Sequence, residues 1–168
     1  MIETTRFRLA SACLAAATAL ALAGCSSGGD DTPQAQAITF TDSWVKAADS
    51  GMTAAFGTLA NGSGSDATLT EVSSPVSPRV ELHEMASDGS GAMKMRQKDG
   101  GFTIPAKGSH TLAPGADHIM FFELPDPVRA GADVPLTMRF SDGSTVEFTA
   151  QVRDFAGAKE EYSESHGG

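Results

Sequence analysis

The sequence predicts an all-β domain, an antiparallel sandwich or barrel. Three observations carry that expectation. Short runs, often alternating apolar and polar residues, recur from Ile38 to Arg153. They are separated by clusters of Gly, Asp, Pro and Ser, which mark turns. Gly or Pro interrupts every window that could hold an amphipathic helix.

The runs can be taken in order. "ITF" (38–40) and "WVKA" (44–47) open the domain, followed by "TAAFGTLAN" (53–61) and "ATLTEVSS" (67–74). "RVELHEM" (79–85) and "MKMRQ" (93–97) flank the loop "ASDGSGA", an arrangement suited to pairing. "FTIP" (102–105), "HTLAP" (110–114) and "HIMFFEL" (118–124) come next. "VPLTMRF" (134–140) and "STVEFTAQVR" (144–153) close the series around "SDGS" (141–144), a strong hairpin signal. Regularly spaced short strands of this kind favour a two-layer sandwich or a closed barrel.

The 168 residues suffice for one domain, and the ends lie outside it. Arg6 and Arg8 precede an apolar, Ala-rich run, Leu9 to Ala23, which is too short and Ala-rich for a good spanning helix. It ends in Leu22-Ala23-Gly24-Cys25, which resembles the lipobox of bacterial lipoproteins. That resemblance implies a signal peptide over 1–24 and acylation of Cys25, the first residue of the mature chain. Residues 25–37, rich in Ser, Gly, Asp and Gln, read as a lipidated, flexible tether. The domain is expected over 38–155, and the polar stretch 156–168 reads as a disordered tail. The expected location is extracytoplasmic, with the protein held to the cell membrane by its lipid.

Cysteine and charge then exclude several classes. Cys13 leaves with the leader and Cys25 is alkylated, so no thiol remains for metal or redox chemistry. Copper-A and blue copper electron-transfer sites need Cys and are excluded. Loss of Arg6, Arg8 and Glu3 with the leader takes the net charge from −9 to −10. An acidic domain is a poor partner for nucleic acid. No H-E-x-x-H motif is present, the G-x-S-x-G match Gly24-Cys25-Ser26-Ser27-Gly28 spans the lipobox rather than a strand-to-helix turn, and no enzymatic activity is expected.

Methionine and histidine carry the chemistry. Six of the seven methionines lie beyond the leader, and four of these fall between positions 85 and 120. Residues i and i+2 share a strand face, which groups His83 with Met85, Met93 with Met95, and His118 with Met120. Pairing of the first two strands would bring His83 near Met95. Thioethers are neutral and polarizable, and imidazole is borderline. Together they suit Cu(I), whereas Zn(II) favours thiolate, carboxylate or more imidazoles. The candidate ligands are His83, Met95, His118 and Met120, with Met85 and Met93 as possible additions. Methionine also fills irregular cores, and Met52 and Met138 read as packing. His110 reads as a surface strand residue, and His166 lies in the tail.

These residues resemble the periplasmic copper chaperones of the PCuAC type. The ligand pattern is His83-Glu84, ten residues, Met95, twenty-two residues, then His118-Ile119-Met120. "SWVKA", "VELHEM", "MKMR", "IPAKG", "LAPGADHIM" and "VPLTMRF" match alongside it. The resemblance implies a cupredoxin-like Greek-key β-sandwich with Cu(I) in a shallow, solvent-accessible site at one end. It also implies delivery to copper sites of cytochrome c oxidase or to an intermediate thiol chaperone. Three features depart from the family. Glu84 stands where Met is frequent. The spacing before His118 is one residue longer, which the "KDGG" turn could absorb. The tail holds only His166, so a second, Cu(II) site is not expected. Two alternatives differ in kind: a lipoprotein that binds a protein partner through an adaptable Met patch, and a copper storage or tolerance protein.

Overall fold

The computed structural model describes residues 32–157 apart from Asp88 and Ser90. The leader, Cys25, most of the tether and the tail from 158 with His166 lie outside the described residues. Ten strands follow a single 3-10 turn: β1 (Ile38–Lys46), β2 (Gly51–Asn61), β3 (Ala67–Ser73), β4 (Arg79–Ser87), β5 (Met93–Gln97), β6 (Phe102–Ile104), β7 (Ser109–Leu112), β8 (His118–Leu124), β9 (Asp133–Phe140) and β10 (Thr145–Arg153). No α-helix occurs among the described residues. The expected all-β class holds, and each predicted run lies wholly or largely within a strand. "ITF" and "WVKA" are one strand, β1, bent by an irregularity between Thr41 and Trp44 where Asp42 takes a positive φ.

All ten strands join one hydrogen-bonded sheet in the order β5-β4-β8-β2-β1-β10-β9-β3-β6, with β7 also on β2. Its two halves share one core, to which Val45, Leu59, Leu82, Ile119 and Phe121 contribute from one half and Leu69, Leu136, Met138, Phe140 and Ala150 from the other. The expectation of purely antiparallel pairing fails at one place. β1 pairs with β10 in parallel, Trp44 to Gln151 through Lys46 to Arg153. The bend in β1 is the physical reason: β1 pairs β2 along its length, while its last residues also carry β10 and so join the two halves.

Local sequence explains the elements. In β9, Val134, Leu136, Met138 and Phe140 alternate with outward residues and are buried, so Met138 is core packing as expected. The "SDGS" turn joins β9 to β10, with Gly143 at φ 83° and Asp142 accepting bonds from the Ser144 backbone and hydroxyl. "KDGG" turns β5 into β6. Gly101 there has φ 79°, and a Cβ would lie 2.0 Å from the Leu69 carbonyl oxygen. Gly101→Ala is therefore expected to cost at least ~2 kcal/mol. Chemical denaturation checks this, and an unchanged midpoint would refute the close approach.

The ordered domain begins earlier than the sequence suggested. Residues 34–37, assigned to the tether, form the 3-10 turn Gln34–Ala37 with Ala35 buried. The Gln34 amide donates to Asp142 Oδ2 at 2.7 Å, and the Ala35 amide donates to Ser144 Oγ at 3.0 Å. Polar composition masked this, because the partners are turn residues over a hundred positions away. At the other end, Phe155 packs edge-on against Trp44, and Lys46 Nζ donates to the Gly157 carbonyl at 2.6 Å.

Candidate metal centre

Strand β8 positions the site. "HIMFFEL" is buried at every position but Glu123, because both of its faces are covered. Ile119 and Phe121 enter the main core. His118, Met120 and Phe122 take the other face by alternation. A second apolar cluster forms there from Ala54, Phe56, Met95, Met120 and Phe122, with Trp44 and Met85 packed against it. Register delivers the members. Met120 lies between Ala54 of β2 and Glu81 of β4. His83 lies opposite His118, and Met85 lies opposite Met95.

Two sequence-predicted ligands touch. His118 Nε2 is 2.9 Å from Met95 Sδ. The other ring nitrogen, Nδ1, is 2.8 Å from the Ala116 carbonyl oxygen. A carbonyl only accepts, so Nδ1 carries a hydrogen, and the neutral form of such a ring has its lone pair on Nε2, facing the thioether. Two soft or borderline bases aimed at one another suit a soft cation and suit each other poorly. The donor set therefore fits Cu(I) on its own chemistry.

His83 stands behind this pair, its ring centroid 5.7 Å from that of His118. Its Nε2 lies 2.8 Å from Glu81 Oε2, and the other Glu81 oxygen takes Arg79 Nη1 at 2.8 Å. Arg79 also caps the Phe122 ring, its guanidinium carbon 3.9 Å from the centroid. With Nε2–H donated to the carboxylate, Nδ1 is the nitrogen with a lone pair to offer. Burial lowers the His83 pKa below its ordinary 6.5, and this outweighs the opposing pull of Glu81. The ring stays neutral, as a ligand must.

Met95, His118 and Met120 line one pocket of about 180 Å³, with Met52, Thr53, Phe56, Pro114 and Gly115 among its other walls. Met85 packs against the cluster from outside this pocket, and Met93 is 57% exposed. The expected solvent accessibility is corrected. The candidate ligands are not solvent-accessible: His83 is 0% exposed, Met95 and His118 3%, and Met120 7%. Thioethers and aromatic rings bury one another, since both are largely apolar. The site occupies the face of β5-β4-β8-β2 turned away from the main core. Met52, read as packing, is instead 45% exposed at the pocket. Of β2, only the first two residues, Gly51 and Met52, are exposed. Glu84 faces away from the cluster and binds Arg96 and Lys98. His110 is half-buried rather than at the surface, stacked on Phe102.

Sequence reasoning missed Glu81 and Arg79 as supports of His83. The signal was there, because Glu81 is two residues before His83 on one strand face. Glu81→Gln removes the carboxylate charge and keeps the shape. It is expected to weaken Cu(I) affinity about tenfold with little change in Tm. Competition against a Cu(I) chelator measures this, and equal affinities would remove Glu81 from the site.

The fold is a cupredoxin-like β-sandwich of the PCuAC type. The copper-bound PCuAC domain of PmoF2 superimposes with a TM-score of 0.58 at 18% identity, covering 70% of this chain and 93% of that one. At that identity the likeness speaks for the fold alone. The solution structure of Cu(I)-DR1885 from Deinococcus radiodurans is 31% identical with a TM-score of 0.55, over 74% of this chain and 85% of the other. The chain belongs to the family described as "Putative lipoprotein LpqE-like", which matches residues 38–152. "Putative lipoprotein Lxx21020" of Leifsonia xyli subsp. xyli is 41% identical over 167 residues, covering 96% of this chain and 99% of that protein. Among the described residues, no helix is long and apolar enough to cross a membrane.

Proposed function

We propose that this protein is an extracytoplasmic copper carrier, held to the cell membrane by acylated Cys25. It binds Cu(I) through His83, Met95, His118 and Met120. The observation that carries this reading is the contact of His118 Nε2 with Met95 Sδ at 2.9 Å inside a buried cluster rich in Met. The similar Cu(I)-DR1885, 31% identical, supports the same ion. Copper is the cargo. Neutral ligands hold Cu(I) less tightly than thiolates do, so copper flows downhill to a Cys-containing acceptor. Such an acceptor is a cytochrome c oxidase copper site or an intermediate thiol chaperone.

Anaerobic titration of the purified protein with Cu(I), against a competing chelator, tests the reading. One Cu(I) per chain is expected, with mixed sulfur and nitrogen in the X-ray absorption first shell. A sulfur-free shell, or no uptake, would sink it. Mixing the loaded protein with apo-acceptors then separates delivery from storage. Retention of copper against every thiolate acceptor would favour storage.

A further inference from the structure

Four buried ligands need a route to solvent, and the pocket supplies one. Among its lining residues, Ala48, Pro114 and Gly115 offer no side-chain donor to copper. The Lys46 ammonium repels a cation, and Thr53 Oγ1 donates to the Lys46 carbonyl. Met52 differs from all of these: it is a thioether, and it is 45% exposed. By alternation it shares a face of β2 with Ala54 and Phe56. Ala54 is the register partner of Met120, and Met52, two residues earlier where the β2–β8 register shifts, lines the same pocket as Met120.

We propose that Met52 is the port ligand of this site. Its sulfur takes Cu(I) at the mouth and passes it inward to Met120 and His118. On release it holds the ion while an acceptor displaces the inner ligands. Each step exchanges one copper–ligand bond for another. Copper stays Cu(I), and the Met52 sulfur neither gains nor loses a proton. The inference rests on the copper reading above and deepens it, because it assigns a residue to movement of copper rather than to its retention.

The test is Met52→Leu, which keeps size and apolarity but removes sulfur. Cu(I) is supplied as its complex with a chromophoric chelator and withdrawn by excess chelator, anaerobically, in a stopped-flow instrument. Chelator absorbance is read together with the fluorescence of Trp44, the sole tryptophan, which packs against the cluster. Uptake and release are both expected to slow by on the order of tenfold, with Kd unchanged within about threefold. Met93→Leu removes a thioether that is more exposed and does not line the pocket, and it should leave both rates alone. Unchanged rates in Met52→Leu, or equal slowing in Met93→Leu, would overturn the port. A large loss of affinity with normal uptake would overturn it too, by making Met52 a resident ligand. Failure of the unsubstituted protein to take up Cu(I) would instead overturn the copper reading itself.

Discussion

His118→Ala is expected to lower Cu(I) affinity on the order of a hundredfold or more. Three features converge on this side chain. Nδ1 is fixed by the Ala116 carbonyl, Nε2 meets Met95 Sδ, and the ring lies between His83 and Phe56. On the proposed reading its removal takes away one ligand and the side chain that meets a second, Met95. Because His118 is 3% exposed, some loss of stability accompanies the substitution. Met120→Leu keeps the volume, is expected to leave Tm nearly unchanged, and should still weaken copper binding. Met138→Ala is the opposite control. Met138 is fully buried in the main core, so its truncation should cost about 2–5 kcal/mol and leave affinity intact. Normal copper binding in both site variants, with an early melt, would mean that the cluster is packing.

Cys25→Ser is expected to move the protein from the membrane fraction to the soluble one. Copper affinity should stay the same. Two separate segments carry the two proposed roles, Cys25 for acylation and the stretch from His83 onward for copper. Eight residues lie between Cys25 and Gln34, where the docked 3-10 turn begins. Extended, such a stretch spans at most about 30 Å, so the domain would work close to the bilayer. Fractionation and immunodetection check the outcome. Persistent membrane association of the Ser variant would show a second anchor.

Much of this was readable from the residues in order. Alternation and turn chemistry sufficed for the strands, because a strand's side-chain period is local and "SDGS" or "KDGG" encodes its own turn. The two His-x-Met pairs were readable for the same reason: i and i+2 must share a face. By that rule Glu81 was readable with His83 as well. The composition of the leader suggested secretion without any fold at all.

Register and layer were not readable. Sequence placed His83 near Met95, yet in the pairing Met95 faces Met85, and its sulfur meets His118 from a strand twenty-three positions on. That contact exists because β8 inserts between β4 and β2, a nonlocal choice that no periodicity encodes. Burial was misjudged for a related reason. The run "HIMFFEL" is nearly continuous in apolar residues, which shows that both faces are covered but not by what. Only tertiary packing put the main core on one face and the histidine–thioether cluster on the other. It likewise left Met52 at the mouth of the pocket while sealing Met138 in the core. The two side chains are chemically identical, so their difference comes entirely from what the fold lays over them.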